Sequence, residues 1–96
     1  VSLSWSKGTS NNTPSPNKEG SVRMYTGTTL TISSPTNTKI TRVVFTPTST
    51  SYSATKLKYN DVALSSDDWT LSEPVNEIVL TASANARFKE IVVYYN

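Results

Sequence analysis

Apolar and polar residues alternate along most of this chain with a period of two, the signature of strands with one buried and one wet face. Val1, Leu3 and Trp5 alternate with Ser2, Ser4 and Ser6. Val22, Met24 and Thr26 alternate with Arg23 and Tyr25, and Gly27 then turns the chain. Leu30 and Ile32 alternate with Thr29, Thr31 and Ser33. The strongest β run is Ile40 to Thr46, stopped by Pro47, with Val43 and Phe45 on its core side. Ile78 and Leu80 share a face opposite Glu77, Val79 and Thr81. The last run, Phe88 to Tyr95, is apolar on both faces and suits the centre of a sheet.

The segments between these runs are rich in turn formers. Lys7 to Gly20 is polar, with Pro14 and Pro16, and predicts a long surface loop. Ser34-Pro-Thr-Asn37 predicts a turn, and Thr48 to Ala54 a second polar loop with Tyr52 in its middle. Asn60-Asp61 stands between Leu57–Tyr59 and Val62–Leu64, which predicts a two-residue hairpin whose central residues both take positive φ. Asp67 and Asp68 favour a turn ahead of the strand carrying Trp69 and Leu71. Helical periodicity is absent, and 84–87 has room for one helical turn at most. Eight or nine short strands at this spacing predict a single all-β domain over 1–96, an antiparallel two-sheet β-sandwich.

Composition narrows the chemistry. The 96 residues hold no cysteine and no histidine, but 15 threonines and 15 serines. Cysteine and histidine are common nucleophiles, neutral-pH proton shuttles and transition-metal ligands. Threonine instead suits a half-buried pleated surface. A glycosidase needs two carboxylates held across a cleft. Asp61, Asp67, Asp68, Glu19, Glu73, Glu77 and Glu90 are the whole supply, and none lies in a recognisable motif. The expectation is therefore a protein that is not an enzyme and uses no cofactor. Nine basic and seven acidic residues give a net charge of +2, scattered along the chain. Nucleic-acid binding would call for a denser basic stripe, so that partner is not expected. Nor is membrane insertion, since no apolar run approaches the ~20 residues that span a bilayer. The chain begins at Val1 without a methionine or signal peptide, as expected of a module excised from a longer protein.

The segments Val22-Arg-Met-Tyr-Thr-Gly-Thr-Thr-Leu-Thr-Ile32, Ile40-Thr-Arg-Val-Val-Phe-Thr46 and Phe88-Lys-Glu-Ile-Val-Val-Tyr-Tyr95, with Trp5-Ser-Lys-Gly-Thr9 and Asn11-Asn12 before them, carry a resemblance over nearly the whole chain. Together they resemble the small jelly-roll accessory modules, carbohydrate-binding-module-like, of secreted multidomain proteins from gut and rumen bacteria. The resemblance implies a jelly-roll sandwich, an extracellular or cell-surface location and neighbouring domains of a parent enzyme or adhesin. It also implies binding to a plant cell-wall or host polysaccharide. Some such modules open with an additional strand before the tryptophan, which here is absent or cut short.

Polysaccharide binding turns attention to the nine aromatic residues, because a sugar's axial C–H groups pack on a flat ring while polar side chains take its hydroxyls. Trp5 and Phe45 are in phase with core positions. Tyr25 shares a face with Arg23, whose fork suits hydroxyls or a uronate carboxylate. Tyr52 stands in a serine-rich loop and is expected to be exposed. Of Tyr94 and Tyr95, which must point to opposite faces, Tyr95 joins Ile91 and Val93 and Tyr94 points outward. Trp69 is in phase with Leu71, which suits the core, while its place beside two aspartates suits a platform. The expected binding set is Tyr25, Arg23, Tyr52, Trp69 and Tyr94, with Asn60, Asp67 and Asp68 adding hydrogen bonds. Two other readings stand beside it: an Ig-like spacer or protein-interaction domain with no glycan ligand, and a small lectin using calcium at Asp67 and Asp68, joined by Asp61 and Asn60.

Overall fold

The computed structural model describes residues 1–10, 15–16 and 22–96. Ten strands are present among them: β1 (Ser2–Ser6), β2 (Ser15–Pro16), β3 (Val22–Met24), β4 (Thr29–Ser33), β5 (Ile40–Pro47), β6 (Leu57–Tyr59), β7 (Val62–Ala63), β8 (Asp68–Val75), β9 (Glu77–Ala82) and β10 (Ala86–Tyr95). Two 3-10 turns, Thr50–Tyr52 and Ala54–Lys56, interrupt the β5–β6 connection. The segment 84–87 holds no helical turn, because β10 already starts at Ala86. Within the expected loop Lys7 to Gly20, Ser15–Pro16 pairs with β3, while residues 11–14 and 17–20 of that prediction lie outside the described residues.

The strands form two five-stranded sheets, ordered β1-β4-β9-β6-β7 and β2-β3-β10-β5-β8. Every pairing is antiparallel. Strands β3 to β10 pair as the two arms of one long folded hairpin, β3 with β10, β4 with β9, β5 with β8 and β6 with β7, and these pairs fall alternately in the two sheets. That winding is a jelly roll. β1 and β2 each add one strand to an edge. The strand with Trp5 is thus itself the border of its sheet.

The sequence alternation explains the layers. In the β4–β9 ladder Leu30 faces Leu80 and Ile32 faces Ile78, all four fully buried between the sheets. Their neighbours Thr29, Thr31, Thr81 and Val79 face out. From the opposite sheet come Met24, Ile40, Val43, Phe45 and Phe88, with the Phe45 and Phe88 rings 5.0 Å apart. Burying each such side chain stabilises the fold by about 1.5–3 kcal/mol, which offsets the conformational entropy of ordering the strands. Pro74 is tolerated within β8 because β8 is an edge strand and has no outer neighbour for an N–H to serve.

Two turns fix the ends of strands that carry outward-facing polar residues. Asn60 and Asp61 have φ of 52° and 65°, the doubly positive pair that a two-residue hairpin requires, between the paired residues Tyr59 and Val62. After β3, Thr28 N–H donates to the Tyr25 carbonyl at 3.0 Å, and Gly27 takes φ of 91°. The buried Thr28 hydroxyl also donates to the Tyr25 carbonyl, at 2.8 Å. With Tyr25 N–H donating to the same hydroxyl at 3.2 Å, the backbone of Tyr25 is held by three bonds to one residue of the turn.

Candidate functional site

The outer face of the β2-β3-β10-β5-β8 sheet gathers most of the expected residues. Met24 points into the core, so the alternating residue Arg23 and the next in phase, Tyr25, point out. The Arg23 guanidinium carbon lies 5.9 Å from the centre of the Tyr25 ring. On the neighbouring strand Ala86 and Phe88 are buried, which turns Arg87 outward. Arg87 stands directly opposite Arg23 in the ladder. Its guanidinium carbon lies 4.7 Å from the ring centre of Tyr52. The result is a run of contacts, Tyr25 on Arg23 and Tyr52 on Arg87, with the two arginines side by side.

Tyr52 is half-buried against this arginine, contrary to the expectation of a freely exposed loop residue. The loop is pinned at both ends. Thr48 N–H donates to the Arg87 carbonyl at 3.0 Å. Ala54 N–H donates to the Asp67 carboxylate at 2.7 Å, and Phe45 N–H donates to the Asp67 carbonyl at 2.8 Å. Asp67, expected to contact ligand, instead holds the connection that carries Tyr52.

A second group lies further along the same face. Tyr94 faces Arg42 across the β10–β5 ladder, with the guanidinium carbon 4.8 Å from its ring centre. Arg42 donates from Nε to one Asp68 oxygen at 2.8 Å and from a terminal nitrogen to the other at 2.6 Å. The fork holds the Asp68 carboxyl below its ordinary range, chiefly through the hydrogen bonds and then through opposite charge, against the effect of burial. Arg42 is raised for the same leading reason. Tyr94 is 45% exposed, in line with its outward phase. Tyr95 is 43% exposed, a departure from its expected inward position: the register shifts between Tyr94 and Tyr95, so the alternation that packs the half-buried Ile91 and Val93 against the core does not carry through. Between the two groups the face presents Val44 opposite Val92 and, nearer the arginine pair, Thr46 opposite the exposed Glu90. Arg87 and Tyr94, seven positions apart on one strand, mark a face roughly 20 Å long.

Trp69 and Asn60 do not join these residues. Trp69 is paired with the inward-facing Val43 and packs against the core, its ring centre 5.2 Å from that of Tyr59 in an edge-on contact. Trp5 also packs against the core, although its indole Nε1 is buried without a hydrogen-bond partner. Asn60 lies on the other sheet, in an open groove of about 470 Å³ lined by Thr9, Thr26, Lys58, Asp61 and Thr81 among others. Among the described residues no aromatic ring borders that groove. Among the described residues no group of three or more acidic side chains converges, and Asp67 and Asp68 turn to different partners.

Two residues of the face are absent from the sequence-based set. Arg42 alternates with Val43 and Phe45, so its outward phase was visible in the run Ile40 to Thr46. Arg87 falls in 84–87, expected to hold one helical turn at most; extending the strand back from Phe88 by its own alternation places it outward.

The chain matches no protein-family model, and no curated protein or solved structure matches it.

Proposed function

We propose that this chain is a non-catalytic carbohydrate-binding module, a part of a larger secreted bacterial enzyme or adhesin that it attaches to polysaccharide. One observation carries the reading: Tyr25, Arg23, Arg87 and Tyr52 meet on one open sheet face, with Tyr94 and Arg42 further along it. Tyrosine rings take the C–H faces of sugars, and arginine forks, each within cation–π reach of a ring, reach hydroxyls beside them. An extended, shallow face suits a polymer, where many weak contacts add along the chain and several modules multiply them. The carboxylates recorded in hydrogen bonds on the described surface serve structural partners: Asp68 binds Arg42, Asp67 binds the Ala54 amide, and Glu77 accepts from the Ser33 hydroxyl.

The test is native affinity electrophoresis against soluble plant, algal and host polysaccharides. The expected result is retardation by at least one polymer, reduced by Tyr25→Ala, Tyr52→Ala and Tyr94→Ala. Trp69→Phe, which keeps a ring in the core, should leave it unchanged. A second reading, a structural spacer, is favoured by the packing of both tryptophans against the core. It predicts no retardation by any polymer of the panel.

A further inference from the structure

The Arg23–Arg87 pair is electrostatically unusual. Directly opposed residues of an antiparallel ladder have Cα atoms about 4.5–5.5 Å apart, and like charges there destabilise the pairing. Here both are arginines, which stay charged at any ordinary pH. Among the described residues neither has a carboxylate partner; the recorded ion pair belongs to Arg42 and Asp68. The contacts that hold the two guanidinium groups are the tyrosine rings. Arg87 Nε is buried with no hydrogen-bond acceptor, a donor left unsatisfied on a half-buried side chain. Leaving such a donor unpaired is unfavourable, and so is the neighbouring like charge. An anion seated between the two guanidinium groups would offset the like charges.

We propose that Arg23 and Arg87 form a cradle for the anionic group of an acidic polysaccharide, a hexuronate carboxylate or a sulfate ester; this rests on the carbohydrate-binding function proposed for the same face. Guanidinium forks match the planar carboxylate and the oxygen edge of a sulfate by paired, charge-assisted hydrogen bonds. Tyr25 and Tyr52, one against each arginine, stand where the rings of the charged sugar and its neighbours would lie. The charge pattern favours a glycan over a nucleic acid. Arg42, further along the face, is paired with Asp68, and on β10 the exposed Lys89 is followed at once by the exposed Glu90, so no continuous track of free positive charge runs along the strands. A phosphate at every nucleotide would need a basic track. A glycan whose anionic group sits beside C–H ring faces that pack on tyrosine suits one cradle set between two such rings.

The experiment is affinity electrophoresis of the intact chain with four probes: polygalacturonic acid, the same polymer with its carboxyl groups reduced to neutral alcohols, carrageenan as a sulfated galactan, and poly(dT). The variants are Arg23→Gln, Arg87→Gln and Arg87→Lys, each checked for an unaltered thermal transition. Either arginine-to-glutamine change relieves like-charge repulsion, so folding should persist. The expected result is retardation by polygalacturonic acid or by carrageenan, which also identifies the anionic group. Retardation by polygalacturonic acid should vanish for the reduced polymer. Each arginine-to-glutamine change should weaken binding by about tenfold or more, through loss of a charged hydrogen-bond pair. Arg87→Lys, which keeps charge but loses the fork, should bind between the wild type and Arg87→Gln. Retardation by neutral polymers alone, indifferent to both arginines, would overturn the cradle and leave the carbohydrate-binding reading intact. Retardation by no polysaccharide would remove both. Stronger retardation by poly(dT) than by either acidic glycan would overturn the assignment to glycans.

Discussion

Tyr52, carried by a 3-10 turn between β5 and β6, lays its ring 4.7 Å from the guanidinium carbon of Arg87 on β10. A loop residue is thereby made part of a sheet face, and a charged residue of the sheet is held by a ring instead of by an acid. Tyr52→Ala should separate binding from folding. A partly exposed cation–π contact is worth about 0.5–1 kcal/mol, so the denaturant midpoint should fall only slightly. Affinity for a retarding polysaccharide should drop by about tenfold if the ring takes a sugar face, the equivalent of one aromatic contact of ~1.5 kcal/mol. Equilibrium denaturation and affinity electrophoresis on the same samples check both.

Gly27 is a tight backbone position in the turn that follows Tyr25. Its φ is 91°, and a Cβ there would lie 2.5 Å from the Thr9 hydroxyl and 3.0 Å from the Ser10 backbone nitrogen. The turn is anchored by Gly27 N–H donating to the Ala82 carbonyl at 2.8 Å and by Thr9 N–H donating to the Gly27 carbonyl at 3.1 Å. Gly27→Ala therefore combines an unfavourable dihedral with a clash, and should lose more than about 1 kcal/mol. Urea denaturation should show a lower midpoint at unchanged slope.

Asp68 supplies a pH signature. Arg42 holds its folded-state pKa below the unfolded value of ~3.9. The carboxylate thus contributes stability that is fully present above the unfolded value and is lost as pH falls through the folded one. Asp68→Asn should make the acid limb of the stability profile shallower while leaving the limb above neutrality unchanged. Thermal melts from pH 2 to pH 8 for both proteins test this. The effect should shrink in high salt, because both partners are exposed, at 41% and 54%.

The β6–β7 hairpin offers a gain instead of a loss. With both central residues at positive φ, Asp61→Gly should stabilise slightly, by a few tenths of a kcal/mol, as Asn-Gly suits this turn best. Asn60→Val, a branched residue forced to φ near 52°, should destabilise. Thermal melts of the two variants should move in opposite directions.

The period of two in the chain was enough to separate inside from outside along each strand. Leu30, Ile32, Ile78 and Leu80 are buried as their spacing requires, Tyr94 is outward, and the turn at Asn60-Asp61 has the geometry that its residue types favour. These features are local: a side chain's face follows from its neighbours, and a turn type from the dihedrals its own residues tolerate. Where local pattern failed, a local irregularity was responsible. The register shift at Tyr94/Tyr95 ended the alternation, and the early start of β10 absorbed part of a stretch expected to hold at most one helical turn.

Neighbourhood was settled only by the folded chain. That Arg23 meets Arg87, that Arg42 meets both Asp68 and Tyr94, and that Asp67 holds the loop of Tyr52 all follow from the jelly-roll winding, which brings β3 beside β10 and β5 between β10 and β8. Alternation assigns a residue to a face but says nothing of which strand lies next to it. Many pairings bury the same apolar set, and the choice among them rests on how all the strands fill one core together.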